Sequence, residues 1–235
     1  MKKYLPALIS CLLWTSAAAA WEPLFAPLQL CAAKCTGRWD QVQLSADLKS
    51  VVVAEVQGQV TSLWNVPLAR PRDRALVYRG AVQNWALDAA PYLVILKPDG
   101  TLQSYDVTRK QLRWSKNVSF LEPGESIEVL IVGELLALNV TDPEFPLFVI
   151  DSRTGQWVDL TPGYELRRVP VKPNVDAPLP LTSLKVLQET MSHQNPGDTS
   201  PTLGFRLTRT SDGAVRLEGY SYREEDRCLA CGSNK

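Results

Sequence analysis

The sequence predicts a mainly β protein built from antiparallel hairpins, with little helix. Two observations carry this prediction. First, apolar runs rich in β-branched residues, such as Val51–Val56 and Tyr92–Leu96, recur between residues 42 and 158, and runs of this kind favour strands. Second, turn signals separate these runs, as Lys97-Pro98-Asp99-Gly100 does after the second one, and a short Gly-containing turn between two runs predicts a hairpin.

Residues 1–20 have the layout of a secretory signal peptide. A start with two lysines is followed by the apolar stretch Tyr4–Trp14 and by the small residues Ala17–Ala20. The apolar stretch is well short of the roughly 20 residues that cross a bilayer as a helix. We therefore expect cleavage after Ala20 and a periplasmic or secreted product, with the short bacterial-like signal favouring the periplasm.

A lipoprotein is the competing interpretation of the same segment. Leu8-Ile9-Ser10-Cys11 resembles a lipoprotein cleavage box, and cleavage there would leave the chain anchored at Cys11. The apolar run continues past Cys11 to Trp14, which favours the ordinary signal peptide.

Charge excludes some classes of partner. The chain has 25 basic and 25 acidic residues, and removal of Lys2 and Lys3 leaves 23 basic residues against the same 25 acids. A nearly balanced chain predicts no attraction to nucleic acid or to an anionic membrane surface. No stretch after the leader has the length of a membrane span. For an exported binding protein we expect another envelope protein as the partner.

Four cysteines remain after the leader, namely Cys31, Cys35, Cys228 and Cys231. An even number in an exported protein predicts disulfides. The spacing leaves all three pairings open. Zinc binding by the four thiols is one alternative, and it conflicts with the wide separation of the two pairs and with an oxidising compartment. Redox activity of the Cys228–Cys231 pair is another, and it lacks the strand-to-helix context of reactive CxxC pairs.

Five segments follow from this pattern. Residues 1–20 are the cleaved signal peptide, and 21–41 form an N-terminal segment in which a helical turn would place Cys31 and Cys35 on one face. Residues 42–159 are the β repeat region, and 160–180 are a Pro-rich connection. Residues 181–235 hold a short helix over Leu181–Met191, a hairpin with one solvent-exposed face, and the second cysteine pair.

A repeat runs through the β region. Gly58-Gln-Val-Thr-Ser-Leu-Trp-Asn65 is echoed 42 residues later by Gly100-Thr-Leu-Gln-Ser-Tyr-Asp106, and Asp106 is echoed by Asp151. A period in the low forties is typical of four-stranded propeller blades.

Over about residues 42–158 the chain repeats one order of features: a strand, a Gly turn, a strand that ends in Asp, a polar turn and a Trp. This order resembles the quinoprotein-type (PQQ-like) β-propeller repeat. The resemblance implies that Asp151, Thr154 and Gly155 shape a hairpin and that Trp157 packs between blades, with Asp106 and Trp114 as a looser copy. Three or four passes are visible, whereas closed propellers need at least four blades. A β-sandwich is the alternative architecture.

No catalytic constellation is apparent, and we expect no cofactor and no metal site. The chain has one histidine, His193, in a polar loop without a nucleophile elbow. Glu122, Glu125 and Glu128 have no context beyond their spacing to make them an acid–base pair. Quinoprotein dehydrogenases carry adjacent cysteines that this chain lacks, so enzymatic function does not follow from the resemblance.

The arginine cluster Arg70, Arg72 and Arg74 is a possible partner-binding site, because guanidinium groups can dock carboxylates bidentately. A solvated loop is the alternative interpretation of this Pro-containing stretch. The sequence therefore favours an exported, non-enzymatic binding or scaffold protein. The alternative is an exported enzyme, either a thiol oxidoreductase using Cys228 and Cys231 or a hydrolase.

Overall fold

A computed structural model describes residues 21–45, 47–87, 92–118, 127–132, 135–140, 148–158, 178–192 and 201–222. Within these ranges the chain forms 16 strands in four antiparallel sheets, with one 3₁₀ turn. The predicted fold class, a mainly β protein of antiparallel hairpins with propeller-like repeats, is confirmed. None of the described residues belongs to a helix with the length and apolar character that a bilayer span requires.

Sheets I and II each contain four strands in sequence order. Sheet I consists of β3 (Arg38–Leu44), β4 (Ser50–Gln57), β5 (Val60–Pro67) and β6 (Ala75–Gly80). Sheet II consists of β7 (Asn84–Leu87), β8 (Tyr92–Leu96), β9 (Thr101–Asp106) and β10 (Gln111–Asn117). The 3₁₀ turn, Pro71–Asp73, joins β5 to β6.

Sheets III and IV differ from this simple order. Sheet III consists of β11 (Ile127–Val132), β12 (Leu135–Val140) and β13 (Phe148–Asp151). Sheet IV consists of β14 (Lys185–Met191), β15 (Thr202–Arg209) and β16 (Val215–Tyr222), together with the N-terminal strands β1 (Trp21–Pro23) and β2 (Leu28–Cys31). Both N-terminal strands pair antiparallel with β16, so segments from the two ends of the described chain share one sheet.

The sheets stack face to face in the order IV, I, II, III. Along β4, Val51 and Val53 pack in the core shared with sheet IV, whereas Val52 faces the core shared with sheet II. β8 repeats this division, with Ile95 toward sheet I and Val94 toward sheet III. Both faces of each strand are therefore buried, and this explains why their sequences are continuous apolar runs rather than alternating ones.

The predicted repeat corresponds to equivalent turns in successive sheets. Gly58 lies in the β4–β5 hairpin of sheet I and Gly100 in the β8–β9 hairpin of sheet II. Both have positive φ, 61° and 76°. The spacing of 42 residues is therefore the distance along the chain between the same turn of two neighbouring sheets.

The two repeated aspartates also occupy equivalent places, at the last residue of β9 and of β13. Asp106 Oδ1 accepts hydrogen bonds from the backbone N–H groups two and three residues on, at 2.9 and 2.8 Å. Asp151 Oδ1 does the same, at 2.8 and 3.0 Å. Four residues after each aspartate, at Lys110 and Gly155, φ becomes positive, so both carboxylates stabilise the same tight turn.

Two helical predictions are wrong. Residues 185–191 of the predicted Leu181–Met191 helix form strand β14, which pairs with β15. A bulge between Val186 and Gln188 interrupts its alternation, and a bulge can imitate helical spacing of apolar residues. The predicted helical turn around Cys31 and Cys35 is instead the end of β2 followed by a turn with positive φ at Lys34. The five segment boundaries remain predictions.

Candidate functional site

The predicted arginine cluster lies on the connection between β5 and β6. Pro71 begins the 3₁₀ turn, and its locked φ suits a first helical position. Arg70 and Arg72 are exposed to solvent, and Arg70 Nη1 lies 3.9 Å from Asp73 Oδ2. An ion pair at this distance and exposure contributes little stability, so the two guanidinium groups are available to a partner.

Arg74 is engaged within the protein. Its Nη1 donates to the carbonyl oxygen of Leu30 at 2.8 Å and to that of Gln29 at 3.2 Å. The guanidinium also lies 5.5 Å from the centre of the Trp64 ring. Arg74 thus holds β2 of sheet IV against sheet I, and partner binding by this cluster remains a prediction that concerns Arg70 and Arg72 first.

Cys31 and Cys35 form a disulfide, with a Cα–Cα distance of 5.9 Å. This local bridge closes the loop between β2 and β3, and Trp39 Nε1 donates to Cys35 Sγ at 3.2 Å. A disulfide in this loop confirms the prediction for the first cysteine pair. Cys228 and Cys231 lie outside the described residues, and their pairing and redox role stay predictions.

The disulfide loop is a point where sheets I and IV meet. Arg209 of β15 donates to the carbonyl oxygens of Cys35 and Gly37, at 3.3 and 3.1 Å. The N–H of Lys34 donates to the carbonyl of Asp212, in the β15–β16 turn, at 3.1 Å. The loop therefore contacts the C-terminal hairpin, while Arg74 contacts β2, the strand that leads into the loop.

Sheet IV carries a buried charge network on the face opposite its apolar core. Arg206 is 2% exposed; its Nε donates to Glu189 Oε1 at 2.7 Å and its Nη2 to the Pro180 carbonyl at 2.6 Å. Its Nη1 lies 3.9 Å from Glu218 Oε2 and makes no hydrogen bond with any described residue. Glu218 is 7% exposed, so the ion pair is largely withdrawn from water.

Two hydroxyl groups complete this network. Tyr220 donates to Glu218 Oε2 at 2.8 Å, and Thr208 donates to Glu218 Oε1 at 3.3 Å. Burial, together with the hydrogen bond to Glu218, raises the pKa of Tyr220. The prediction that the final hairpin has one solvent-exposed face is therefore wrong at these positions. The face is polar as predicted, but its charges are matched with partners inside the protein.

Sheets II and III are held together by side chains of β10. Trp114 Nε1 donates to the Ser152 carbonyl at 2.8 Å, Arg113 to the Arg153 carbonyl at 3.1 Å, and Lys116 to the Gly155 carbonyl at 3.1 Å. Trp114, the looser copy in the propeller resemblance, thus packs between neighbouring sheets. For Trp157, to which the resemblance first assigned this role, it stays a prediction. Trp157 is 41% exposed, with Lys116 Nζ 4.5 Å from its ring centre.

A glycine is required at position 155 because the turn there packs against the Trp114 ring. The φ of Gly155 is 71°, and a Cβ atom there would lie 2.8 Å from the Trp114 ring. Only glycine combines this conformation with so close an approach. Hydrogen bonds from the turn backbone, that of Thr154 first, lower the pKa of Asp151, which keeps the carboxylate ionised as the acceptor that shapes the turn.

Catalytic candidates gain no geometric support. Among the described residues, no three His, Cys, Asp or Glu side chains are grouped as metal ligands. His193, Glu122 and Glu125 lie outside the described residues, and Glu128 is described only as backbone of β11.

No protein-family model matches this chain, and no curated protein sequence matches it. Among solved structures it is similar to AztD of Citrobacter koseri, at 16% identity and a TM-score of 0.36, over 46% of this chain and 31% of that one. It is similar to a europium-containing methanol dehydrogenase, at 16% identity and a TM-score of 0.35, over 47% and 22%. It is also similar to the β-propeller domain of Myceliophteria thermophila Cps50 (Swd1), at 12% identity and a TM-score of 0.36, over 79% and 51%.

The chain thus spans about a third of the length of AztD and about a fifth of the dehydrogenase. Its propeller-like arrangement is seen in the chain itself, in the stacking of the four-stranded sheets I and II and in the equivalent Gly turns of these two sheets.

Proposed function

We propose that this protein is an exported, non-enzymatic binding or scaffold protein that presents a propeller-like surface to an acidic partner protein of the cell envelope. The periplasm is the expected compartment, from the leader layout and from the disulfide between Cys31 and Cys35. The repeat of the quinoprotein-type propeller supplies the scaffold, without its enzymatic chemistry.

The contrast within the arginine cluster carries this proposal. Arg74 is used to join two sheets, whereas Arg70 and Arg72 project from the same proline-restrained turn into solvent. The internal bonds of Arg74 hold the turn in place, so the two exposed guanidinium groups are presented on a preorganised support. Arginine at such a position suits bidentate recognition of carboxylates.

Affinity capture from the native envelope, followed by mass spectrometry, tests the proposal. We expect the wild-type chain to recover a protein with an acidic surface, and R70Q/R72Q to recover at least about fivefold less, because arginines are frequent anchors of interfaces. R79Q/K97Q removes the same charge toward the opposite ends of the sheets, because Arg79 pairs with Ser62 at the start of β5 and Lys97 lies in the β8–β9 turn, and it should recover as much as the wild type. Recovery of no partner, or equal recovery by R70Q/R72Q, would contradict the proposal.

A further inference from the structure

A polar cavity of about 270 Å³ lies between sheets I and II. It lies near the first residues of β5, Val60 and Thr61, beside the β4–β5 turn. Arg70 and Arg72 follow the other end of that strand. The cavity and the arginine turn are therefore separate surfaces. Six of the residues that line it supply its chemistry: Arg38, Asp40, Gln41, Gln59, Thr61 and Trp85.

A β-bulge in β3 forms one wall of the cavity. The pairing with β4 shifts between Trp39 and Gln41, which leaves Asp40 as the extra residue. Trp39 and Val42 both pack in the core shared with sheet IV, although side chains three apart on a regular strand point to opposite faces. The bulge therefore allows Asp40 and Gln41 to line the cavity side by side, and bulges commonly redirect side chains at functional sites.

The cavity contains hydrogen-bonding groups without partners in the protein. Thr61 is only 7% exposed, and its hydroxyl has no hydrogen-bond partner among the described residues. Gln41 and Gln59 are exposed at the opening of the cavity, so their side-chain amides face solvent. A hydroxyl and two carboxamides offer both donors and acceptors, all of them neutral.

The charges at the cavity balance. Arg38 Nε and Asp40 Oδ2 lie 2.6 Å apart, so the cation and the anion that line the cavity satisfy each other. A charged ligand would have to compete with this ion pair, whereas a neutral ligand with several hydroxyl groups would use the free donors and acceptors. The volume lies just under the roughly 300 Å³ at which pockets for drug-sized molecules begin, which corresponds to a ligand of about one sugar ring.

We propose that this cavity binds a neutral polyhydroxylated molecule of monosaccharide size, with the Thr61 hydroxyl and the Gln41 and Gln59 amides as its hydrogen-bonding groups. This site is independent of the partner surface around Arg70. The protein would thus carry a small-molecule site between two sheets in addition to a protein-binding turn.

Saturation-transfer NMR on the full chain, titrated with glucose, galactose and N-acetylglucosamine, tests this. We expect saturable binding of at least one sugar, with a Kd on the order of 1 mM. Thr61→Val keeps the side-chain shape and β propensity and removes the hydroxyl, and it should weaken binding by about three- to tenfold, the effect of one lost hydrogen bond. Gln59→Ala, in an exposed turn, should weaken binding without affecting the fold.

Thr202→Val is the matched control, because Thr202 is also a buried strand threonine but lies in sheet IV; its Kd should equal that of the wild type. Absence of saturable sugar binding would overturn the proposal. So would unchanged affinity in both Thr61→Val and Gln59→Ala, or binding of glycine, glutamate or lysine in place of the sugars.

Discussion

The two faces of sheet IV show two different ways in which this protein buries a strand. Phe205 of β15 packs in the apolar core against sheet I, and its neighbour Arg206 points to the opposite face, into the network with Glu189 and Glu218. Burial of apolar area contributes stability whatever the exact neighbours are. A buried ion pair contributes only while every partner is present, because each charge has lost its water.

Adjacent residues of equal burial thus depend on different physics. Phe205 is 0% exposed and Arg206 is 2% exposed, so exposure alone does not separate them. Mutations should separate the two residues. On the apolar face, stability should fall with the volume that is removed, and on the polar face it should fall when a charge loses its partner.

The largest effect is expected on the apolar face. Phe205→Ala should lower the free energy of unfolding by about 3–5 kcal/mol, because it removes buried contacts and leaves a cavity. Urea denaturation measures this. Leu112→Ala, at a side chain that is 49% exposed, should change stability by less than about 0.5 kcal/mol; similar losses in both variants would contradict the assigned core.

Removal of one member of the Arg206–Glu218 pair on the polar face should lower the free energy of unfolding by nearly as much. Arg206→Met leaves Glu218 buried without its cation, and we expect a loss of about 3 kcal/mol. Arg206→Met combined with Glu218→Gln removes both charges and keeps an acceptor for the Tyr220 and Thr208 hydroxyls. It should recover to within about 1–2 kcal/mol of the wild type, because the Pro180 carbonyl still lacks its donor. A double variant as unstable as the single one would show that packing, rather than pairing, governs this face too.

The disulfide stabilises the apolar side, where β2 of sheet IV leads into the loop that precedes sheet I. C31S/C35S should lower the free energy of unfolding by about 2 kcal/mol, the chain-entropy value for so short a loop. Thermal unfolding with and without reductant checks this. Reductant should lower the Tm of the wild type toward that of the variant; a variant as stable as the oxidised wild type would refute the contribution.

The smallest effect is expected at Asp151, a half-buried charge at the end of β13. Because the pKa of Asp151 is lowered in the folded state, its stabilising contribution is complete above the ordinary value of about 3.8 and is lost as pH falls through the lower folded value. Asp151→Asn should therefore reduce the loss of stability of the wild type in this acidic range. Chemical denaturation at pH 6 and pH 3 measures the difference, and identical pH dependence in the two proteins would rule out this role.

Local signals in the sequence are sufficient to predict much of the fold. The strands β4 and β8 are visible as apolar runs, and Gly58, Gly100 and the two aspartates mark turns because their chemistry is local. β14 was mistaken for a helix because its bulge breaks the period of two on which strand prediction depends.

The candidate sites were harder to predict because they depend on contacts between distant segments. The arginine cluster is evident in the sequence, but only the fold brings Arg74 to the Leu30 carbonyl. The cavity residues Asp40 and Gln41 were missed, although a signal existed: Trp39 and Val42 are apolar three residues apart inside a strand. The polar alternation of β15 was visible, but burial of Arg206 depends on Glu189, Glu218 and the Pro180 carbonyl.

The pairing of β1 and β2 with β16 sets an order of assembly. Trp21 pairs with Tyr222, and Cys31 with Val215. The two N-terminal strands therefore cannot pair with β16 until this last described strand has been synthesised. Sheets I and II consist of consecutive hairpins and can form from local contacts, whereas sheet IV requires closure of a loop that spans most of the chain, which slows folding. During synthesis, β1 and β2 therefore stay unpaired and exposed until β16 is made, while the sheets that follow them in the chain are already forming.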